Sequence, residues 1–153
     1  MKSRIVKICA ALCLLSLAPF SIMGAGKNKR ENLVNTAKSL IGAKYVSGGQ
    51  SSSGFDCSGF VMYVYGRYNI KLPHSSEGQY LAGKPVQLKN ALAGDIVCFK
   101  IHANKISHVG IYLGDSQFIH APVPGKRVRI ESINMDYWKK RFFAVVRIEG
   151  LDN

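Results

Sequence analysis

The sequence predicts an α+β domain, with helices in its first half and an antiparallel sheet in its second. Three observations predict it. Between residues 31 and 81, apolar residues recur at helical spacing or in blocks bounded by glycine, serine and proline. From residue 85 onward the apolar stretches become short, β-branched and aromatic, divided by turn dipeptides such as Gly94-Asp95 and Gly114-Asp115. Neither half contains an internal repeat or a low-complexity tract.

The first element is a leader. Lys2, Arg4 and Lys7 form a basic start, Ile8 to Phe20 is uncharged and mostly apolar, and Ser21 to Gly26 supplies small residues. That order is the pattern of an export signal peptide, here about residues 1–25, which leaves 26–153 as a single domain. The apolar run is shorter than the roughly 18 residues of a membrane span, so cleavage is favoured over a retained anchor. Cys9 and Cys13 follow Ile8 and Leu12, where a lipid-modified cysteine would follow a small residue, and both read as apolar filler. Lys27 to Glu31 reads as a short solvated lead-in.

Leu33, Val34, Ala37, Leu40 and Ile41 then mark a helix over Glu31 to Ile41, closed by Gly42. Tyr45 to Phe55 is rich in glycine and serine and reads as a loop. Asp56 suits the N-cap of a second helix over Cys57 to Tyr68. Pro73 opens a third, short helix that ends near Leu81. Strands are expected over Ile96–Ile101, His108–Leu113, Ser116–Ala121, Arg127–Ile133 and Phe142–Ile148.

The 153 residues carry 21 Lys and Arg against nine Asp and Glu, a formal net charge of +12. Without the leader, which has three cations and no acid, the excess falls to about +9. Such a balance favours an anionic partner, either a wall polymer or a membrane surface, with solubility as the plain alternative. No cationic cluster is dense enough for nucleic acid. Neither His-x-x-x-His nor Cys-x-x-Cys occurs, so no metal or other cofactor is expected.

Two cysteines remain after the leader. Cys98 lies in Ile96-Val97-Cys98-Phe99, a buried-strand pattern in which a free cysteine acts as a small hydrophobe. A 57–98 disulfide is therefore disfavoured, even in an oxidising compartment. Cys57 stands at a helix start, where unpaired N–H groups and the macrodipole favour a thiolate. His108 and His120 open and close two strands joined by a short turn, which can bring them side by side. A cysteine nucleophile, a histidine base and a second histidine orienting it would follow; two structural sheet histidines, or a metal pair with a thin ligand set, are the alternatives. His102 lies in a lysine-flanked loop and is expected to face water.

Several motifs occur in order across the domain. They are Tyr45-Val46-Ser47-Gly48-Gly49, Phe55-Asp56-Cys57-Ser58-Gly59-Phe60-Val61, and Leu72-Pro73-His74-Ser75-Ser76 with Gln79. Gly94-Asp95-Ile96-Val97, His108-Val109-Gly110-Ile111-Tyr112-Leu113-Gly114 and Phe118-Ile119-His120-Ala121 follow. On these motifs the chain resembles the NlpC family of bacterial cell-wall cysteine peptidases, which have a papain-like core. The resemblance implies Cys57 as nucleophile, His108 as base and His120 as the group that orients it. It implies that Tyr45 helps hold the oxyanion, and that Asp56 and Ser58 contact the free amino terminus of a stem peptide.

Ser47 and His74 depart from the tryptophan and arginine common at those places, which puts the exact substrate in doubt. The implied activity is hydrolysis of amide bonds in peptidoglycan stem peptides, first of all the D-glutamyl–diamino acid bond. An N-acetylmuramoyl-L-alanine amidase and a non-catalytic wall-binding module are the alternatives, with a lipid acyltransferase behind them. The expected protein is an exported monomer, in the periplasm or at the cell wall outside the cell.

Overall fold

In a computed structural model, residues 23–102 and 104–152 are described, with side chains from Lys29 onward. The expected leader falls outside them except at its end, where helix α1 (Met23–Ser39) begins. A two-stranded ribbon, β1 (Gln50–Ser51) and β2 (Gly54–Phe55), leads into helix α2 (Cys57–Gly66). After helix α3 (Ser76–Leu81) come strands β3 (Lys84–Val86), β4 (Ile96–Phe99), β5 (His108–Gly114), β6 (Gln117–His120) and β7 (Arg129–Ser132). A short helix α4 (Asp136–Lys139) and strand β8 (Phe142–Arg147) complete the domain.

The strands form one antiparallel sheet in the order β3-β8-β4-β5-β6-β7. This is the expected α+β arrangement, with four of the anticipated strands shorter by one to three residues and β5 longer by one. Several short elements escaped the sequence, among them the β1–β2 ribbon within the stretch expected as a loop. Strand β3 carries Pro85, which an edge position tolerates because it lacks the N–H a central ladder needs. Helix α4 is only four residues long, too short for periodicity to register.

The sheet is buried on both faces, and alternation along each strand sends its residues to two cores. Ile96, Cys98, Val109, Ile111, Ile119 and Val146 pack with residues of α1 and α2 in the larger core. Val97, Phe99, Tyr112, Phe118 and Val145 pack with Ile133 and Trp138 in the smaller one. Double-sided burial explains why β4 reads as a continuous apolar run.

Two local expectations need correction. Pro73 does not open α3. Ser75 caps it, with its hydroxyl accepting from Gly78 N–H at 3.1 Å, while the Pro73 carbonyl accepts from Gln79 Nε2 at 2.8 Å. Arg30 is not part of a solvated lead-in. It belongs to α1, is buried, and donates to the Asp95 carboxylate at 3.0 Å, because a charge sent under a sheet edge must find its counter-charge.

Candidate active site

Asp56 fixes the start of α2. Its Oδ1 accepts from Gly59 N–H at 2.7 Å and from the Ser58 hydroxyl at 3.1 Å, and its Oδ2 accepts from Gly48 N–H at 3.1 Å. His74 Nε2 lies 3.0 Å from both carboxylate oxygens. His74 thus supplies this carboxylate with a ring nitrogen. Ser58 is buried and spends its hydroxyl on Asp56.

Gly59 lets the glycine loop close on the helix. A Cβ at that position would lie 2.0 Å from the Gly49 carbonyl oxygen and 3.0 Å from His74 Nε2. Backbone is the obstacle, so the loop must retreat. Gly59→Ala is expected to cost about 1–3 kcal/mol in urea unfolding. It is also expected to loosen the Gly49 carbonyl from the Asp56 N–H it meets at 2.9 Å.

Cys57 is the first residue of α2 and is half-buried. Its Sγ lies 3.6 Å from the Ser76 hydroxyl, and the backbone N–H groups of Val109 and Ser58 point to it. Val109 is the second residue of β5, so the thiol sits where that strand begins. Burial pushes the thiol above its ordinary value, outweighing the pull of Ser76, Val109 and Ser58. Burial thus works against the thiolate that the helix start favours. Cys98 is free and fully buried inside β4, its thiol pushed up to about 12 by burial.

Register brings the histidines together. Ile111 pairs with Ile119 across β5 and β6, so His108 stands two residues before the place opposite His120, on the same face. His108 Nε2 lies 2.8 Å from His120 Nδ1. On the far side, His120 pairs with Arg129 in β7, which puts Glu131 diagonal to it and again on that face. His120 Nε2 lies 2.8 Å from Glu131 Oε2, which also accepts from Trp138 Nε1 at 2.8 Å. Arg129 meets the other oxygen at 2.8 Å.

Both imidazoles are buried among aromatic rings. Trp138 stacks on His108 at 5.2 Å between centroids, and Phe118 lies 4.7 Å from His120. Burial holds His108 well below the ordinary imidazole value, with His120 adding to that and Glu131 opposing it. Burial also lowers His120, against the pull of Glu131. Glu131 is held down to about 2, first by the bond from His120, with Trp138 and Arg129 adding to it. Burial thus works against charge on the thiol and on both imidazoles, while hydrogen bonds favour charge on Glu131.

Glu131 and Trp138 were not singled out from the sequence. Only with the His120–Arg129 pairing in hand does a period-two count place Glu131 on the histidine face. Trp138 had no such signal.

Tyr45 is half-buried, and burial together with Cys57 and Asp56 raises its hydroxyl, so it stays a donor at neutral pH. It lines a cavity of about 190 Å³ whose other walls include Lys44, Lys126 and Arg127. His102 is exposed, as expected. Among the described residues, no group of three or more His, Cys, Asp or Glu side chains could hold a metal ion.

The NlpC/P60 family model matches residues 42–147, a span that holds every residue of this array. The chain belongs to the NlpC/P60 family. A gamma-DL-glutamyl hydrolase of Bacillus subtilis is 40% identical over 122 residues, covering 78% of this chain and 29% of that protein. The Escherichia coli protein named murein DD-endopeptidase MepS/murein LD-carboxypeptidase is 37% identical over 139 residues, covering 84% of this chain and 73% of its own. The chain thus spans less than a third of the first relative and most of the second. The crystal structure of an NlpC/P60 family protein from Bacillus cereus superposes with a TM-score of 0.75 at 30% identity, over 79% of this chain and 40% of that one. The NlpC/P60 domain is papain-like, and the helix-then-sheet order seen here is that fold.

Proposed function

We propose that this NlpC/P60 protein is an exported cysteine peptidase that hydrolyses amide bonds in peptidoglycan stem peptides, at the cell wall or in a periplasm. The observation that carries this is that the N–H of Val109, the residue after His108, points to the Cys57 thiol, while His108 pairs with buried His120. In this reading Cys57 attacks the scissile carbonyl while His108 takes the thiol proton. His108 then returns that proton to the leaving amine, and water releases the acyl group from sulfur. His120 orients His108. The Tyr45 hydroxyl and the Cys57 N–H hold the oxyanion. Asp56 and Ser58 are the candidate contacts for a free amino terminus, which would share the carboxylate with His74.

The first bond we assign is that between D-glutamate and the diamino acid, supported by the name of the Bacillus subtilis relative. The name of the Escherichia coli relative speaks of other bonds, so products decide. The cationic wall beside Tyr45 suits the carboxylates that stem peptides carry.

The test is mass analysis of products from purified peptidoglycan. L-Ala-D-Glu left on the glycan is the expected result. Bare lactyl groups would mark an N-acetylmuramoyl-L-alanine amidase. Binding to sacculi without turnover would mark a wall-binding module and overturn the reading.

A further inference from the structure

We propose that Glu131 is a positioning residue that sets the direction of proton sharing across both histidines, so that His108 presents a bare Nδ1 to Cys57. The proposal rests on reading Cys57 and His108 as nucleophile and base. Its starting point is a chain of acceptors. Glu131 takes three donors, His120 Nε2, Trp138 Nε1 and Arg129, all at 2.8 Å. Two of these donors are a tryptophan and an arginine, neither of which can accept a hydrogen bond. The carboxylate is thereby fixed as an ionised acceptor, and His120 Nε2 must carry a proton to bond to it.

The consequence passes through the first ring. A neutral imidazole has one N–H, so a proton on His120 Nε2 leaves His120 Nδ1 as an acceptor. That nitrogen is 2.8 Å from His108 Nε2, which must then be the donor. Only Nδ1 of His108 remains, and it is bare. Two hydrogen bonds of fixed direction, each starting from the carboxylate, thus prepare the base.

Without the carboxylate, the same two rings could bond in reverse. His120 would carry its proton on Nδ1 and donate to His108 Nε2, and the His108 proton would move to Nδ1. His108 Nδ1 would then carry a proton, and no base would be available to Cys57. The number of bonds between the rings is the same in either direction, so the group beyond His120 decides between them.

During attack the thiol proton moves to His108 Nδ1, giving an imidazolium whose Nε2–H still donates to His120. No proton needs to reach Glu131. Its charge steadies the imidazolium from one ring away, and Arg129 from its own strand partly offsets that effect.

Glu131→Gln tests this in the full chain, because the amide keeps the side-chain shape but has one acceptor oxygen and a donor. Nitrogen-15 NMR of labelled histidine distinguishes the tautomers, with His74 and His102 variants used to assign the four histidines. In the wild type near neutral pH, both His108 and His120 are expected to carry the proton on Nε2. In Glu131→Gln, a fraction of His108 shifts to the Nδ1 protonated form. Its kcat on peptidoglycan falls about 10- to 100-fold with KM nearly unchanged, a smaller loss than the ~10⁴-fold of a wrong tautomer next to the base itself.

Wild-type His120 protonated on Nδ1 would overturn the proposal whether or not the variant folds. Unchanged tautomers with a kcat loss in Glu131→Gln would overturn it too. The expected tautomers in a wild type that turns over no peptidoglycan would support the proton direction while sinking the proposed function.

Discussion

Cys57→Ala is expected to abolish turnover of purified peptidoglycan while leaving the fold intact. Removing a nucleophile that works as one unit with its base costs a factor on the order of 10⁶ in kcat, which no remaining group supplies. The structural cost is small. Cys57 is half-buried, and its side chain makes one hydrogen-bond-range contact with another side chain, to Ser76. Thermal unfolding should therefore move by less than about 1 kcal/mol. Release of peptides by the variant at the wild-type rate would remove Cys57 from the mechanism.

The wild type should also show a displaced acid limb. The proposed base works when neutral, and burial lowers His108 well below the ordinary imidazole value. Activity should thus persist below about pH 6.5 and fall only as pH approaches the depressed value. Stability responds with the same sign. The unfolded chain takes up protons on these histidines first, so folding weakens as pH drops below about 6.5, and a pH series of urea midpoints measures it.

The architecture was legible in the sequence because its two halves differ in period. Helical spacing before residue 85 and strand chemistry after it put α1, α2 and five strands near their places. Asp56 and Cys57 were legible for a local reason: a cap and the residue after it are decided within one turn of chain. His108 and His120 were legible because one short turn joins their strands. Glu131 was hidden since its role depends on which strand neighbours β6, and register between strands is not written in any single segment. Arg30 was hidden for a related reason. In sequence it is one of several cations ahead of a helix, and only the fold reveals the buried carboxylate, Asp95, that it meets.

Asp95→Ala is expected to have the largest effect on stability of any single change away from the site. Asp95 is fully buried at the start of β4. Its carboxylate accepts from Arg30 at 3.0 Å, from Arg147 at 2.8 and 3.1 Å, and from Leu92 N–H at 2.9 Å. These bonds join α1, β8 and the turn before β4, elements far apart in sequence. Deleting one partner of a buried ionic cluster leaves an uncompensated charge, at a cost of about 3–5 kcal/mol. Against a typical total of about 5–15 kcal/mol, that is enough to lower the urea midpoint sharply. Arg30 would keep Asp152 as a partner, but that carboxylate is half-exposed and cannot follow it inward. Arg30→Met in the Asp95→Ala background should recover part of the loss, since the orphaned charge goes with it. A double-mutant cycle on urea midpoints measures the coupling, and additive losses would show that the cluster is not held by charge. The reach of this cluster extends to the site. Tyr112 N–H donates to the Asp95 carbonyl at 2.7 Å, and Gly94 N–H donates to the Tyr112 carbonyl at 2.8 Å, which ties β5 to the turn before β4. His108, the proposed base, is the first residue of that strand, so the turn that the Asp95 carboxylate anchors through Leu92 N–H also ties down the strand that carries it.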